Sequence, residues 1–147
     1  MGLPGTNGWA DPQPPLDVWE KGSWLREGLA AAAEDLCGSY TYRGFAARMQ
    51  KEGQLLSLDT LRDAFTAQDD LAAYVQAGSL VQYLLQRYDR QRFRELWRDD
   101  GRHLEQIYGE SAAAIESAWH EWLRATSDQQ PPTVAALRQQ GCSPPRR

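Results

Sequence analysis

Apolar residues in this chain cluster at three-to-four-residue intervals, and the clusters are broken by glycine, proline and small polar residues, the signature of successive amphipathic helices. From Ser23, the run Trp24, Leu25, Leu29 and several alanines predicts a first helix ending near Cys37-Gly38, where glycine accepts a left-handed C-cap. Tyr42 to Glu52 predicts a second, stopped by Gly53, and Ser57 caps a short third that buries Leu58, Leu61 and Phe65. The longest periodic stretch, Asp69 to Tyr88, predicts the central helix, with Leu71, Val75, Val81, Leu84 and Leu85 on its apolar repeat. Arg90 to Asp100 gathers Phe93, Leu96 and Trp97, and Ser111 opens a last strong helix whose Ile115, Ala118, Trp119, Trp122 and Leu123 form one stripe with the tryptophans as core anchors. No segment sustains period-two alternation and no repeat of fixed period emerges, so the expected class is an all-α helical bundle with little support for a sheet.

Punctuation sets the expected boundaries. Asp11-Pro12 and Pro14-Pro15 oppose regular helix, which makes residues 1–22 a Pro/Gly-rich lead-in loop and 23–125 the helical domain. After Thr126 the Ser, Asp, Gln and Pro residues mark a linker, followed by a weak helix at Thr133 to Gln140 and a basic end, so 126–147 is expected to be a flexible tail.

Composition narrows the partners. A net charge of -4 offers no basic field, which argues against nucleic acid or an anionic membrane surface. The longest apolar run, around Leu29 to Ala33, is far short of the roughly 20 residues that cross a bilayer. The first 15 residues have neither a basic start nor an apolar run, so they are not a secretory signal; a chain that truly starts at Met1 would be cytoplasmic, and the compartment otherwise stays open. Cys37 and Cys142 form no CxxC pair and His103 and His120 are the sole histidines, which excludes a self-contained Cys/His zinc site. A Cys37–Cys142 disulfide is disfavoured because Cys142 falls in the expected tail and export is unsupported.

The most informative segment is Trp24-Leu25-Arg26-Glu27-Gly28-Leu29-Ala30, which places an acidic residue and a glycine within an apolar helix. Glycine costs about 1 kcal/mol in a helix interior and a buried carboxylate is costly without a cation or metal, so a site is one reading. The other is a solvent-facing Glu27, or one paired with Arg26 or Lys21. Elsewhere the chemistry is thin. Gly2 to Gly8 follows no strand and is not a phosphate loop, Asp69-Asp70 and Asp99-Asp100 read as solvated helix ends, and Arg87 through Arg98 reads as a salt-bridged surface helix.

This segment resembles the one in which gluzincin zinc peptidases of the peptidase-MA-like group present their third zinc ligand, an aromatic, an apolar and any residue followed by Glu-Gly-Leu-Ala. The block Tyr74-Val75-Gln76-Ala77-Gly78-Ser79-Leu80 is similar to a later helix of that family, and Tyr88 to Trp97 with Ile107-Tyr108-Gly109 to Leu123 looks like its closing helices. Together the blocks run from about Ser23 to Arg124. The resemblance implies that Glu27 is a zinc ligand and Tyr74 a catalytic hydroxyl that donates to the oxyanion, with packing as Tyr74's alternative role. Gly78 and Ser79 are read as close helix contacts.

In that family the other ligands come from an upstream His-Glu-x-x-His helix whose glutamate is the general base. No histidine precedes Glu27, and His120-Glu121-Trp122-Leu123-Arg124 ends in arginine on the wrong side of it, a chance match. The expectation is therefore a partial metallopeptidase domain, inactive and without tight zinc by itself, whose complete form hydrolyses peptides with metal-activated water. The alternative is a non-catalytic helical module that binds a peptide or protein in a groove beside the first helix.

Overall fold

Five of the helices start on side-chain caps that satisfy amide groups left over at the first turn. The hydroxyl of Thr41 accepts from the Gly44 amide at 2.9 Å, Ser57 from Thr60 at 3.1 Å, Ser111 from Ala114 at 3.1 Å and Thr133 from Ala136 at 3.2 Å, while the Asp89 carboxylate accepts from Arg92 at 2.9 Å. The structure, a computed structural model, describes residues 16–65, 70–126 and 131–142. Among these it has eight helices: α1 Leu16–Glu34, α2 Tyr42–Lys51, α3 Leu58–Asp63, α4 Asp70–Arg87, α5 Arg90–Arg98, α6 Leu104–Tyr108, α7 Ala112–Arg124 and α8 Val134–Gln140. A two-stranded antiparallel ribbon, β1 Leu36–Cys37 and β2 Tyr40–Thr41, pairs Leu36 with Thr41 and Cys37 with Tyr40 between α1 and α2. The fold is mostly helical, as its periodicity predicts. Strands of two residues are too short for alternation to register, so the ribbon has no signal in the sequence.

Two glycines set how the bundle closes. A Cβ on Gly28 would lie 2.8 Å from the Ala77 carbonyl oxygen and 2.8 Å from Val81 Cγ2, and one on Gly78 would lie 2.7 Å from Ala31 Cβ. The helices α1 and α4 therefore meet backbone to backbone, and α4 also packs against α2, α5, α7 and α8. The larger core, with Trp24, Leu25, Leu61, Leu80, Leu84 and Trp119 fully buried, lies along this contact. Two polar side chains of α4 are buried and satisfied: Gln76 accepts from the Leu56 amide at 2.6 Å and donates to the Gln54 carbonyl at 3.1 Å, and Ser79 accepts from Trp119 Nε1 at 3.1 Å. They tie the loop before α3, and α7, to the central helix.

Several boundaries differ from the sequence reading. α1 begins at Leu16, so the end of the expected lead-in loop is helical, while residues 1–15 lie outside the described residues. α1 stops at Glu34 because Asp35, not Gly38, takes the left-handed conformation directly after it, at φ 67°. Of the three residues that α5 gathers, Phe93 and Leu96 are buried and Trp97 is 45% exposed. Asp99 and Asp100 are not simply solvated; Asp99 bonds His103 Nδ1 at 2.7 Å and Asp100 pairs with Arg26 at 2.7 Å. Asp69 lies outside the described residues, and Asp70 opens α4.

The C-terminal region shows the largest difference. Val134 and Leu137 of α8 are buried in a second apolar cluster with Ala31, Tyr42, Phe45, Met49 and Val75, and Cys37 and Cys142 form a disulfide. Once α8 docks on that cluster, the cysteine that follows it sits beside the β1–β2 ribbon, and 105 residues of sequence separation close in space. The portion of the expected tail from 131 to 142 is thus part of the folded unit.

Two measurements test these contacts. Gly28→Ala should lower stability by about 1–3 kcal/mol through overpacking, although alanine's helix propensity alone would add about 1 kcal/mol; denaturant unfolding reads the sign. Replacing both Cys37 and Cys142 with serine should cost about 2–4 kcal/mol, with α8 amides losing hydrogen-exchange protection before α4 amides do.

Candidate functional site

The two flanks of α1 carry different chemistry. At 3.6 residues per turn, Glu27 and Glu34 (i, i+7) share one flank, and Leu29, Ala32 and Ala33 share the other. Gly28 occupies the strip between them that touches α4.

On the first flank Glu27 is exposed and has no ion-pair partner among the described residues. The solvent-facing alternative left open by the sequence is thus its observed position: the glycine beside it is explained by helix contact, and the carboxylate is not buried. Seven residues along, Glu34 receives two phenols. Tyr74 on α4 donates to Oε1 at 2.5 Å and Tyr42 on α2 donates to Oε2 at 3.2 Å, with the two rings edge to face at 5.9 Å. Burial and then the charge of Glu34 push the Tyr42 hydroxyl up to about 12, and burial and the bond to Glu34 push Tyr74 higher still above the ordinary phenol value. Both phenols are held neutral as donors. Glu27 and Glu34 are separated by two turns, about 10 Å along the axis. The structure therefore places the two candidate residues, Glu27 and Tyr74, on one flank but joins Tyr74 to Glu34, a partner the sequence reading did not name. A Tyr–Glu pair 40 residues apart leaves no trace in local spacing.

The second flank forms a groove of about 510 Å³ between α1 and α4, closed at one end by α2 and α7. Leu29, Ala32, Leu85 and Trp122 give it apolar surface, and Asp35, Arg43 and Gln82 are polar members of its wall. The Arg43 guanidinium lies 3.9 Å over the Trp122 ring, and Nη2 donates to the Trp122 carbonyl at 2.7 Å. Its Nε is buried without an acceptor among the described residues, and burial lowers its pKa. Asp35 accepts from Gln82 Nε2 at 3.2 Å. Trp122, expected as a core anchor, is only half-buried and serves as the platform for this cation, whereas Trp119 is fully buried.

Compared with known protein families, curated proteins and solved structures, the chain matches none of them. Among the described residues no three His, Cys, Asp or Glu side chains stand together as a metal-binding group, and no helix is long and apolar enough to cross a membrane.

The Tyr42–Glu34–Tyr74 cluster makes a testable electrostatic claim. A tyrosine whose folded pKa exceeds its unfolded value near 10 contributes stability that is complete below pH 10 and is lost as pH rises toward 12. Replacing Glu34 with glutamine removes the negative charge that opposes ionisation, so tyrosinate absorbance should rise at lower pH in that variant than in the wild type. Coincident titration curves would show that Glu34 does not hold these hydroxyls.

Proposed function

We propose that this chain is the C-terminal helical part of a zinc metallopeptidase of the gluzincin type, with Glu27 as one zinc ligand and peptide-bond hydrolysis as the activity of the complete protein. What supports the reading is the local build of α1: the Glu27-Gly28 pair sends a carboxylate to an open flank while the glycine locks that turn of helix against α4. The contact fixes the backbone from which the carboxylate projects, one requirement of a metal site.

The residues described do not make a complete site. A catalytic zinc takes three protein ligands and Glu27 supplies one, so no reaction step is assigned to a metal here. Complete zinc coordination requires a His-Glu-x-x-His helix laid along the flank that holds Glu27 and Glu34. Tyr74 faces that flank as the proposed oxyanion donor. Its single proton is donated to Glu34 and would have to turn from that carboxylate toward the substrate.

A second reading, a non-catalytic module that binds a peptide or partner, is favoured by the groove on the opposite flank of α1.

The coding DNA upstream of Met1 separates the two readings. An in-frame His-Glu-x-x-His within roughly 20 to 40 residues of Glu27 is expected from the peptidase reading, and a stop codon there with a ribosome-binding site removes it. The chain by itself should retain no stoichiometric zinc after dialysis and show no peptidase activity. Tight zinc that is lost in Glu27→Gln would prove the one-ligand count wrong.

A further inference from the structure

We infer that the groove between Leu29, Leu85, Trp122 and Arg43 is a binding site for the C-terminal end of a peptide with an apolar last residue, its terminal carboxylate held by Arg43. The inference does not rest on the zinc reading, because Arg43 and Glu27 stand on opposite flanks of α1 and share no neighbour in the groove.

Three observations carry it. First, Arg43 is a partly desolvated cation without a counter-ion. No carboxylate pairs with it among the described residues, its face is covered by Trp122, one Nη is spent on the Trp122 carbonyl, and its Nε hydrogen is buried without an acceptor. A guanidinium partly withdrawn from water is costly unless an anion meets it, and a ligand carboxylate can do so at the Nη not spent on Trp122. Second, the surface beside it is apolar over the span of one side chain, with Leu29, Ala32 and Leu85 half-buried and open to the groove, and a volume of about 510 Å³ falls within the range of sites for small ligands. Third, the remaining wall is neither apolar nor cationic: Asp35, Gln82 and Gln86 supply amide and carboxylate groups of the kind that pair with peptide N–H and C=O groups. A long-chain fatty acid would lay its methylenes against these polar groups and take them from water without offering a further partner, a cost a peptide avoids. The pairing of one unmatched cation with one acceptor-bearing rim sets the direction of the ligand, carboxylate toward α2 and α7 and the chain running along α4.

The test uses acetyl-Ala-Ala-Leu with a free carboxylate, the same peptide as its C-terminal amide, and octanoate, each titrated into the full chain by calorimetry and by amide chemical-shift mapping. The free acid is expected to bind and to shift amides near Leu29, Arg43 and Leu85, with the amide at least about tenfold weaker because the charge-assisted bonds are lost. Arg43→Gln should reproduce the amide's loss. Because that substitution also removes the cover on Trp122 and could unfold the chain, Ala33→Trp gives an independent control: Ala33 is exposed on the groove wall, so a tryptophan there blocks the site without entering the core. Equal binding of acid and amide, acid binding that survives Ala33→Trp, octanoate binding in preference to the peptide, or no peptide binding at millimolar concentration would each overturn the assignment.

Discussion

The contact of α1 with α4 at Gly28 and Gly78 is the constraint on which the remaining architecture depends. Both helices come close enough that a single Cβ on either glycine would collide with backbone or with an alanine methyl. At that separation the side chains that flank the seam are pushed outward to either side and not between the axes. The exposed carboxylates Glu27 and Glu34 emerge on one side, and Leu29, Ala32 and Ala33 on the other, which divides α1 into an acidic flank and a groove wall. The same packing that stabilises the bundle separates its two candidate sites.

α4 can serve as the shared wall for five other helices because its interior polar groups are answered. Gln76 replaces the missing partners of the loop before α3, and Ser79 receives the indole N–H of Trp119, so neither leaves a buried donor or acceptor unmet. An apolar residue at either place would fill the volume but would free the 54–56 backbone or orphan a tryptophan. The second cluster, beneath α8, is smaller, and the disulfide restrains the chain that covers it. Tyr42 belongs to that cluster and also donates to Glu34, so the docking of α8 and the geometry of the phenol pair share a residue.

Arg43 and Glu27 illustrate opposite electrostatic situations. Glu27 stands in water, where an unpaired carboxylate costs nothing, and it becomes chemically significant only if another element covers it. Arg43 is already partly withdrawn from water and lacks an anion, so its cost is present in the protein as it stands. That difference is why the groove supports a binding inference by its own geometry, whereas the zinc reading leans on the resemblance of a heptapeptide.

Sequence by itself determined the class and most helix starts, because these depend on chemistry within three or four residues. Ser57, Ser111 and Thr133 cap helices through amides three positions ahead, and the apolar repeat of Ile115, Trp119 and Leu123 is one helical stripe wherever that helix packs. It also singled out Glu27-Gly28 as unusual. Periodicity reports that a residue lies on a stripe and not what covers the stripe, which is why Trp122 reads as a core anchor beside Trp119 although it is only half-buried, under Arg43. Tertiary structure alone decided that Gly28 is a helix contact, that Glu27 faces water, that Tyr74 bonds Glu34, that Arg43 lies on Trp122, and that Cys37 meets Cys142. The three pairings among these join residues 40, 79 and 105 positions apart, and their formation follows from how helices cross, a property that no local pattern encodes.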